Sequence, residues 1–304
     1  ARCKALPEDE GKDEIEPVIE VSRLLEEPLS IQGAVPSPVG DAIYLNCRRR
    51  DDLVYWRDIS VYRITLDPAA ALAEYIRREQ AKKADKKEGA DTEATTTQEK
   101  DEKDVSYLGR LSRLNLPRMA TVSAVSPDGA RLLLSYPGRD EKMYTQEDLW
   151  VIDAQAAVDA ARADTARSAM HNLSASLDRQ CMQSFWTEKG IFSSYVDGTV
   201  IRVAHFGEDG TVTPLDFGGL FVLDDLHVSR GGWFGFNGAN ATTFPEACLA
   251  EPYGGQASCP ARTLTNFGAG IAEWEVGTVE TIRWTSRDGA EVEGVLRKPA
   301  DFDP

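Results

Sequence analysis

Short runs of apolar, β-branched and aromatic residues alternate with turn residues along most of the chain. Each run is four to six residues long, which is the length of a strand rather than of a helix. Gly, Pro, Ser and Asp bound the runs, as is typical of strands joined by tight turns. The predicted strands include Ala42–Leu45, Ser60–Ile64, Arg131–Ser135, Leu149–Ile152, Gly190–Tyr195 and Val200–Val203. The pattern predicts an all-β fold.

The predicted strands follow one order that repeats: a turn, a strand, a polar loop and a second strand. Residues 35–45 align with residues 124–134 when one residue is allowed to slip, and further units begin at Phe185 and Val228. Four positions are equivalent in this alignment, at spacings of 89, 59 and 42 residues: Ile43, Leu132, Ile191 and Trp233. Without a charged insert in the first interval, the spacing approaches the roughly 40 to 50 residues of a propeller blade. Since one blade cannot bury both of its faces, the repeat predicts blades stacked around an axis.

The insert covers residues 76–104, of which 17 of 29 are charged and none is aromatic. We expect a short helix over residues 68–78 that leads into a mobile surface loop, and a second helical connection over residues 154–169 that joins two blades. The whole chain has 50 acidic and 34 basic residues, a net charge of -16, which argues against a nucleic-acid partner. No uncharged apolar run reaches 18 residues, so no membrane span is predicted.

Five cysteines and three histidines show none of the spacings of a zinc site, so no metal or cofactor is predicted. Cys248 and Cys259 flank a turn and form either a disulfide or two free thiols. Core packing is predicted for four tryptophans that lie in or beside strands: Trp150, Trp186, Trp233 and Trp284. The chain begins at Ala1 without a Met and ends at Pro304 in what we expect to be a connection, so we expect a fragment. The compartment stays open between the cytoplasm and a periplasmic or secreted location.

The last 25 residues contain a predicted hairpin. Thr281–Trp284 and Val292–Leu296 have alternating apolar and polar character, and Ser286–Gly289 joins them. Asp-Gly favours a tight hairpin turn, and Pro299 ends the second strand.

Several segments in order carry a family resemblance: Arg48–Tyr62, Ser126–Gly129, Asp148–Asp153, Leu173–Arg179 and Glu280–Pro299. Together they resemble the prolyl oligopeptidase family of serine peptidases, in particular its acylaminoacyl-peptidase and dipeptidyl-peptidase-like branch. The resemblance implies that residues 30–272 form about four or five blades of a seven-bladed propeller, after an acidic lead-in over residues 1–29. It further implies that residues 273–304, with the hairpin, begin an α/β-hydrolase domain that is truncated here.

The resemblance implies that the propeller gates and shapes access of an oligopeptide substrate to this hydrolase domain. Candidate substrate-binding residues are Arg48, Arg49, Asp178 and Arg179, because a guanidinium suits a substrate carboxylate. The alternative is that such Asp and Arg residues form salt bridges between blades.

No residue of this chain is predicted to be catalytic. It has no Gly-x-Ser-x-Gly elbow, and all its histidines precede the hairpin, so the Ser, Asp and His of a hydrolase would lie beyond Pro304. The chain alone is therefore expected to be inactive. A second hypothesis is a stand-alone propeller that serves as a protein-interaction scaffold. Open blade edges would favour homo-oligomers.

Overall fold

The computed structural model describes residues 30–48, 59–66, 111–138, 145–271 and 273–303. Strands dominate this part of the chain, with two short helices, α1 (Ala154–Asp159) and α2 (Ala163–Ser168). The helical connection predicted over residues 154–169 is therefore confirmed as two helices. The prediction that it joins two blades is wrong, because it connects the strands Asp148–Asp153 and His171–Asn172 of one sheet. The predictions for the lead-in, for the helix at 68–78, for the insert at 76–104 and for Arg49 lie outside the described residues.

The strands form four antiparallel meanders of four strands each, which we call blades 1 to 4. Blade 1 consists of β1 (Ser30–Pro36), β2 (Ala42–Arg48), β3 (Ile59–Thr65) and β4 (Leu111–Arg113). Blade 2 consists of β5 (Thr121–Val125), β6 (Arg131–Tyr136), β7 (Asp148–Asp153) and β8 (His171–Asn172). Blade 3 consists of β9 (Cys181–Thr187), β10 (Gly190–Asp197), β11 (Val200–Phe206) and β12 (Val212–Pro214). Blade 4 consists of β13 (Phe221–Val228), β14 (Phe234–Ala239), β15 (Glu246–Ala250) and β16 (Ala261–Thr263).

The first strands of successive blades are neighbours, so β1, β5, β9 and β13 follow one another around an axis. Blades 3 and 4 are also joined by the pairing of Ile201 with Val222. After a 3-10 turn, Phe267–Ile271, the chain forms a separate two-stranded hairpin of β17 (Thr278–Thr285) and β18 (Glu291–Lys298). The six predicted strands and the hairpin are confirmed, and the described sheets are those of an incomplete propeller.

Apolar residues fill the spaces between blades because side chains alternate along each strand. Leu132 and Leu134 of β6 belong to the core between blades 1 and 2, whereas Leu133 belongs to the core between blades 2 and 3. In β10, Ile191 likewise packs toward blade 2 and Phe192 toward blade 4. Burial on both faces explains why the central strands are continuous apolar runs in the sequence.

The same glycine turn opens the second strand of three blades. The amides of Gly40, Gly129 and Gly232 donate to the carbonyls of Ser37, Ser126 and Ser229, respectively. These glycines have φ values of 80°, 75° and 86°, a left-handed region that other residues enter at a cost. The repeat of turn and strand is therefore confirmed in blades 1, 2 and 4.

In blade 4 the turn is one residue shorter. The amide of Ser229 donates to the carbonyl of Trp233, whereas the amide of Ser126 donates to that of Arg131, five residues on. Phe234, not Trp233, is thus the equivalent of Leu132, and Trp233 is 42% exposed while Phe234 is buried.

Core packing was predicted for four tryptophans, and two of these predictions are wrong. Trp150 and Trp186 pack against the inter-blade cores as expected. Trp233 lies one position off the buried register, and Trp284 is 47% exposed on the hairpin. Strand alternation alone does not show whether a second layer covers a given face.

Candidate substrate-facing surface

At one end, each blade presents the loop that enters its first strand and the turn that joins its second and third strands. Adjacent blades share this end, since the amide of Cys181, at the start of β9, donates to the carbonyl of Glu147, just before β7. The hairpin lies here too, because a Cβ built on Gly198, between β10 and β11, would overlap the carboxylate of Glu293. We call this end the hairpin face.

The described candidate residues all lie on the hairpin face. Arg48 ends β2, where it pairs with Ser30 and Ile59. Its Nε is buried and has no hydrogen-bond partner among the described residues. Asp178 and Arg179 lie in the loop that enters β9, and both are exposed. They belong to a different blade from Arg48, and within the described residues no hydrogen bond or ion pair joins the two places.

Arg179 takes part in an ion-pair cluster that sequence reasoning missed. Its Nε lies 3.6 Å from Asp197 Oδ1, and Arg202 Nε lies 2.9 Å from Asp197 Oδ2. This is a salt bridge within blade 3, not the salt bridge between blades that was the alternative. The Asp197 carboxylate lies between two guanidiniums, and about half of each arginine side chain is exposed. The sequence carried one signal for the exposure of Arg202. Side chains alternate along Val200–Val203, so Arg202 lies on the face of the strand opposite to the buried Val203.

The backbone at Asp178 supports this arrangement. Asp178 has φ of 49°, a conformation that Asp tolerates better than most residues. Its carbonyl accepts a hydrogen bond from Arg179 Nη1 at 2.8 Å. The loop thus holds the Arg179 guanidinium close to its own backbone, near Asp197.

A second polar feature lies on the first strand of blade 4. Asp225 has φ of 50° within β13, and the β13–β14 ladder shifts register on both sides of Asp224. Asn237 Nδ2 donates to Asp224 Oδ1 at 2.7 Å and to Asp225 Oδ2 at 3.2 Å. The bulges turn both exposed carboxylates away from the buried ladder, and the sequence carried no signal for this.

The cysteines are free thiols in the described residues. Cys47, Cys181, Cys248 and Cys259 are all buried, so the disulfide alternative for Cys248 and Cys259 is wrong. Burial raises the pKa of Cys181 to about 12 and also raises the pKa of the other three thiols. Within the residues that the structure describes, no group of three His, Cys, Asp or Glu residues is arranged to hold a metal ion. Nor does any described helix have the length and apolar character needed to cross a bilayer.

The stacked four-stranded meanders define this part of the chain as β-propeller blades followed by a hairpin. The same fold occurs in solved peptidase structures over most of this chain. The acylaminoacyl peptidase of Pyrococcus horikoshii, uncomplexed, matches with a TM-score of 0.53 and 16% identity, over 88% of this chain and 32% of that chain. A post-proline cleaving enzyme from Rickettsia typhi matches with a TM-score of 0.51 and 12% identity, over 95% and 35% of the two chains. Apo prolyl oligopeptidase B from Galerina marginata matches with a TM-score of 0.52 and 10% identity, over 95% and 34%.

These neighbours are enzymes of the prolyl oligopeptidase and acylaminoacyl peptidase family, and the resemblance predicted from the sequence is confirmed at the level of the fold. This chain spans about a third of their length. No protein-family model and no curated protein matches the sequence.

Proposed function

We propose that this chain is the propeller part of a serine oligopeptidase of the prolyl oligopeptidase family. In this proposal, residues 30–272 form the blades, and residues 273–304 begin an α/β-hydrolase domain that carries the Ser-Asp-His triad beyond Pro304. The observation that carries the proposal is the fold likeness to these peptidases over 88% to 95% of the chain.

The uncovered apolar face of the hairpin is a second argument for a hydrolase domain that packs against it. Its apolar residues Ile282, Trp284, Val292 and Leu296 share one face, since Ile282 pairs with Gly294 and Trp284 with Val292. Ile282 is 39% and Trp284 47% exposed, so this face has no layer against it in the described residues. A hydrolase sheet that begins with the hairpin would bury this face.

The propeller would gate the active site and hold one end of an oligopeptide. Arg48, Arg49, Asp178 and Arg179 are the proposed binding residues, with Arg202 now added beside Arg179. The exposed guanidiniums of Arg179 and Arg202 suit a substrate carboxylate.

The first test is the coding sequence downstream of Pro304. It should encode a Gly-x-Ser-x-Gly elbow, an acid and a later His within one further domain of about 250 residues. The longer protein should hydrolyse acylaminoacyl or dipeptidyl chromogenic substrates, and the 304-residue chain should not. A downstream sequence without elbow and His would overturn the proposal and favour the interaction scaffold.

The second test addresses the binding residues in the longer protein. Arg179→Ala should raise KM about tenfold for peptides with a carboxylate near the bound end, because a charge-assisted pair is lost, and should leave their amide analogues unaffected. Arg230→Ala is the matched control, since Arg230 pairs with Glu188 at the opposite end of blade 3. Equal effects on acid and amide peptides would rule out a carboxylate-binding role for Arg179.

A further inference from the structure

A groove on the hairpin face separates blade 4 from the base of the hairpin. It consists of two adjoining cavities of about 450 and 350 Å³, which share Thr242, Thr243, Phe244 and Val276. Both volumes fall in the range of about 300 to 1,000 Å³ that is typical of ligand sites. None of the residues that line the groove belongs to the ion-pair cluster of Arg179, Asp197 and Arg202.

The blade wall of the groove is ordered by local hydrogen bonds. Asn240 Oδ1 accepts from the amide of Thr242 at 2.9 Å, and the amide of Asn240 donates to Thr243 Oγ1 at 2.9 Å. Phe244 packs against the 3-10 turn, because a Cβ built on Gly268 in this turn would lie 3.1 Å from the Cβ of Phe244. Glu246 holds that turn by accepting from the amides of Phe267 and Gly268. This wall is thus formed before a ligand arrives.

Large apolar side chains line the groove and remain open to solvent. Phe244 is 46% exposed, Trp274 66% and Val276 56%. Exposed apolar side chains that converge on a cavity are typical of a surface that contacts an apolar group of a partner.

The opposite wall is the base of the hairpin, formed by residues 276–279 and 297–299, and the outer edge of β17 begins here. Four consecutive residues, 276–279, line the larger cavity, and β17 pairs only with β18 among the described strands. An edge of this kind offers backbone N–H and C=O groups to an extended peptide, which adds as a further strand. The edge therefore favours a polypeptide over a ligand without a backbone.

The groove also contains a free cation. Arg297 lines the larger cavity beside Val279, its partner across the ladder. No carboxylate of the described residues lies within ion-pair distance of Arg297. Two other cations of the hairpin do form ion pairs, Arg283 with Glu293 and Lys298 with Glu280. In a chain with a net charge of -16, an unpaired guanidinium in a groove is complementary to a ligand carboxylate.

We propose that this groove binds an extended peptide that ends in an apolar residue with a free carboxylate. The peptide backbone adds to the edge of β17, the apolar side chain contacts Phe244 and Trp274, and the carboxylate pairs with Arg297. This site takes part in no hydrolytic step, and it does not depend on the proposed peptidase function.

Fluorescence anisotropy of labelled tetrapeptides with the 304-residue chain tests the proposal. A fluorescein-labelled peptide with a C-terminal Phe acid should bind saturably, and its C-terminal amide should bind about tenfold more weakly, because the charge-assisted pair is lost. Arg297→Gln should bind the acid as weakly as the amide. Arg287→Gln is the matched control, since this exposed arginine lies in the turn at the far end of the same hairpin and should bind as the parent does.

A second variant separates the apolar contact from the charge. Phe244→Ser should weaken acid and amide equally, by about tenfold, because it removes apolar contact area and leaves Arg297 in place. Circular dichroism should show that Phe244→Ser and Arg297→Gln keep the strand content of the parent chain at the temperature of the binding assay.

Each of three binding results would overturn the proposal: no saturable binding, equal affinity for acid and amide, or an Arg297→Gln variant with parent affinity. A concentration-dependent dimer that excludes the peptide would assign the groove to a second copy and would overturn it as well. None of these readouts uses hydrolysis, so a failed peptidase test leaves this result unaffected.

Discussion

The side chain of Asn46 in blade 1 pairs with both backbone groups of Val122 in blade 2. Asn46 Oδ1 accepts from the Val122 amide at 2.9 Å, and Asn46 Nδ2 donates to the Val122 carbonyl at 2.9 Å. The β5–β6 ladder shifts register between Val122 and Ala124, so a bulge leaves these backbone groups turned toward blade 1. The amide side chain takes the place of a neighbouring strand and joins the two blades.

Asn46→Ala should lower the free energy of unfolding by about 1 to 3 kcal/mol, because it leaves the buried N–H and C=O of Val122 without partners. Urea denaturation followed by circular dichroism measures this. Gln155→Ala is the control: its amide makes one exposed bond to Asp159 and should change stability by less than about 0.5 kcal/mol. Equal losses in the two variants would contradict the role of Asn46.

Gly198→Ala should loosen the contact between the hairpin and blade 3, because the Glu293 side chain must move away from blade 3. Gly198 has φ of 60°, and the Glu293 carboxylate occupies the position that a Cβ at residue 198 would take. Glu293 Oε2 also lies 2.7 Å from Arg283 Nη2. Limited proteolysis should therefore cleave within β17 or β18 sooner in the variant than in the parent chain.

Gly210→Ala is the matched control for this prediction. Gly210 lies in the same blade with φ of 82°, and no atom is within 4 Å of its Cβ position. Both variants carry the backbone cost of a left-handed alanine, on the order of 1 kcal/mol. Only Gly198→Ala should expose the hairpin, and parallel cleavage of both variants would show that backbone strain alone is responsible.

His205 should make the blades less stable in mild acid. It stacks on Tyr253 with ring centroids 4.5 Å apart and lies against Phe192, and burial lowers its pKa although Asp209 opposes this. Because the unfolded histidine titrates near 6.5, the unfolded state binds the proton first as pH falls. His205 therefore contributes fully to the free energy of unfolding above about pH 6.5. This contribution declines as the pH falls below about 6.5, until the pH has passed the pKa of His205 in the folded state.

Thermal melts at pH 7.5 and pH 5 test the titration of His205. His205→Gln should show a smaller loss of Tm between these values than the parent chain, whatever its absolute stability. His171→Gln, which changes an exposed histidine, should keep the parent difference. A parent-like difference in His205→Gln would assign the acid sensitivity to other groups.

The four described thiols should be free but protected in the folded protein. Because burial raises the pKa of Cys181 to about 12, its thiolate at pH 8 should be on the order of a thousandfold scarcer than that of an unfolded cysteine. Mass spectrometry after iodoacetamide treatment should find Cys181, Cys248 and Cys259 unmodified in the native chain. In urea without reductant all three should be alkylated, and a linked Cys248–Cys259 peptide would contradict the structure.

Strand positions could be predicted because each blade is buried on both faces. Consecutive residues of a central strand pack into two different cores, as in Leu132–Leu134 and in Ile191–Phe192. The sequence therefore carries unbroken apolar runs at these strands. The glycine turns could be predicted as well, because Gly40 and Gly129 occupy a backbone conformation that few other residues adopt. Both signals are local in the chain.

The candidate site could be predicted only in part. The charges of Arg48, Arg49, Asp178 and Arg179 are visible in the sequence. The partners of Arg179, by contrast, depend on the distance between a loop and a strand end. Asp197 and Arg202 are 18 and 23 residues further on in the sequence. No local pattern states that the loop and the end of β10 meet.

By itself, the sequence determined an all-β chain of repeated blades, a closing hairpin and a resemblance to one peptidase family. These properties depend on alternation, turn residues and ordered motifs, which act over a few neighbouring positions. Only the tertiary structure decided that Trp233 and Trp284 are exposed, that Arg179 pairs within its own blade, and that Arg297 faces a groove. These outcomes depend on which surfaces meet after the blades stack, because burial and ion pairing are set by neighbours distant in sequence.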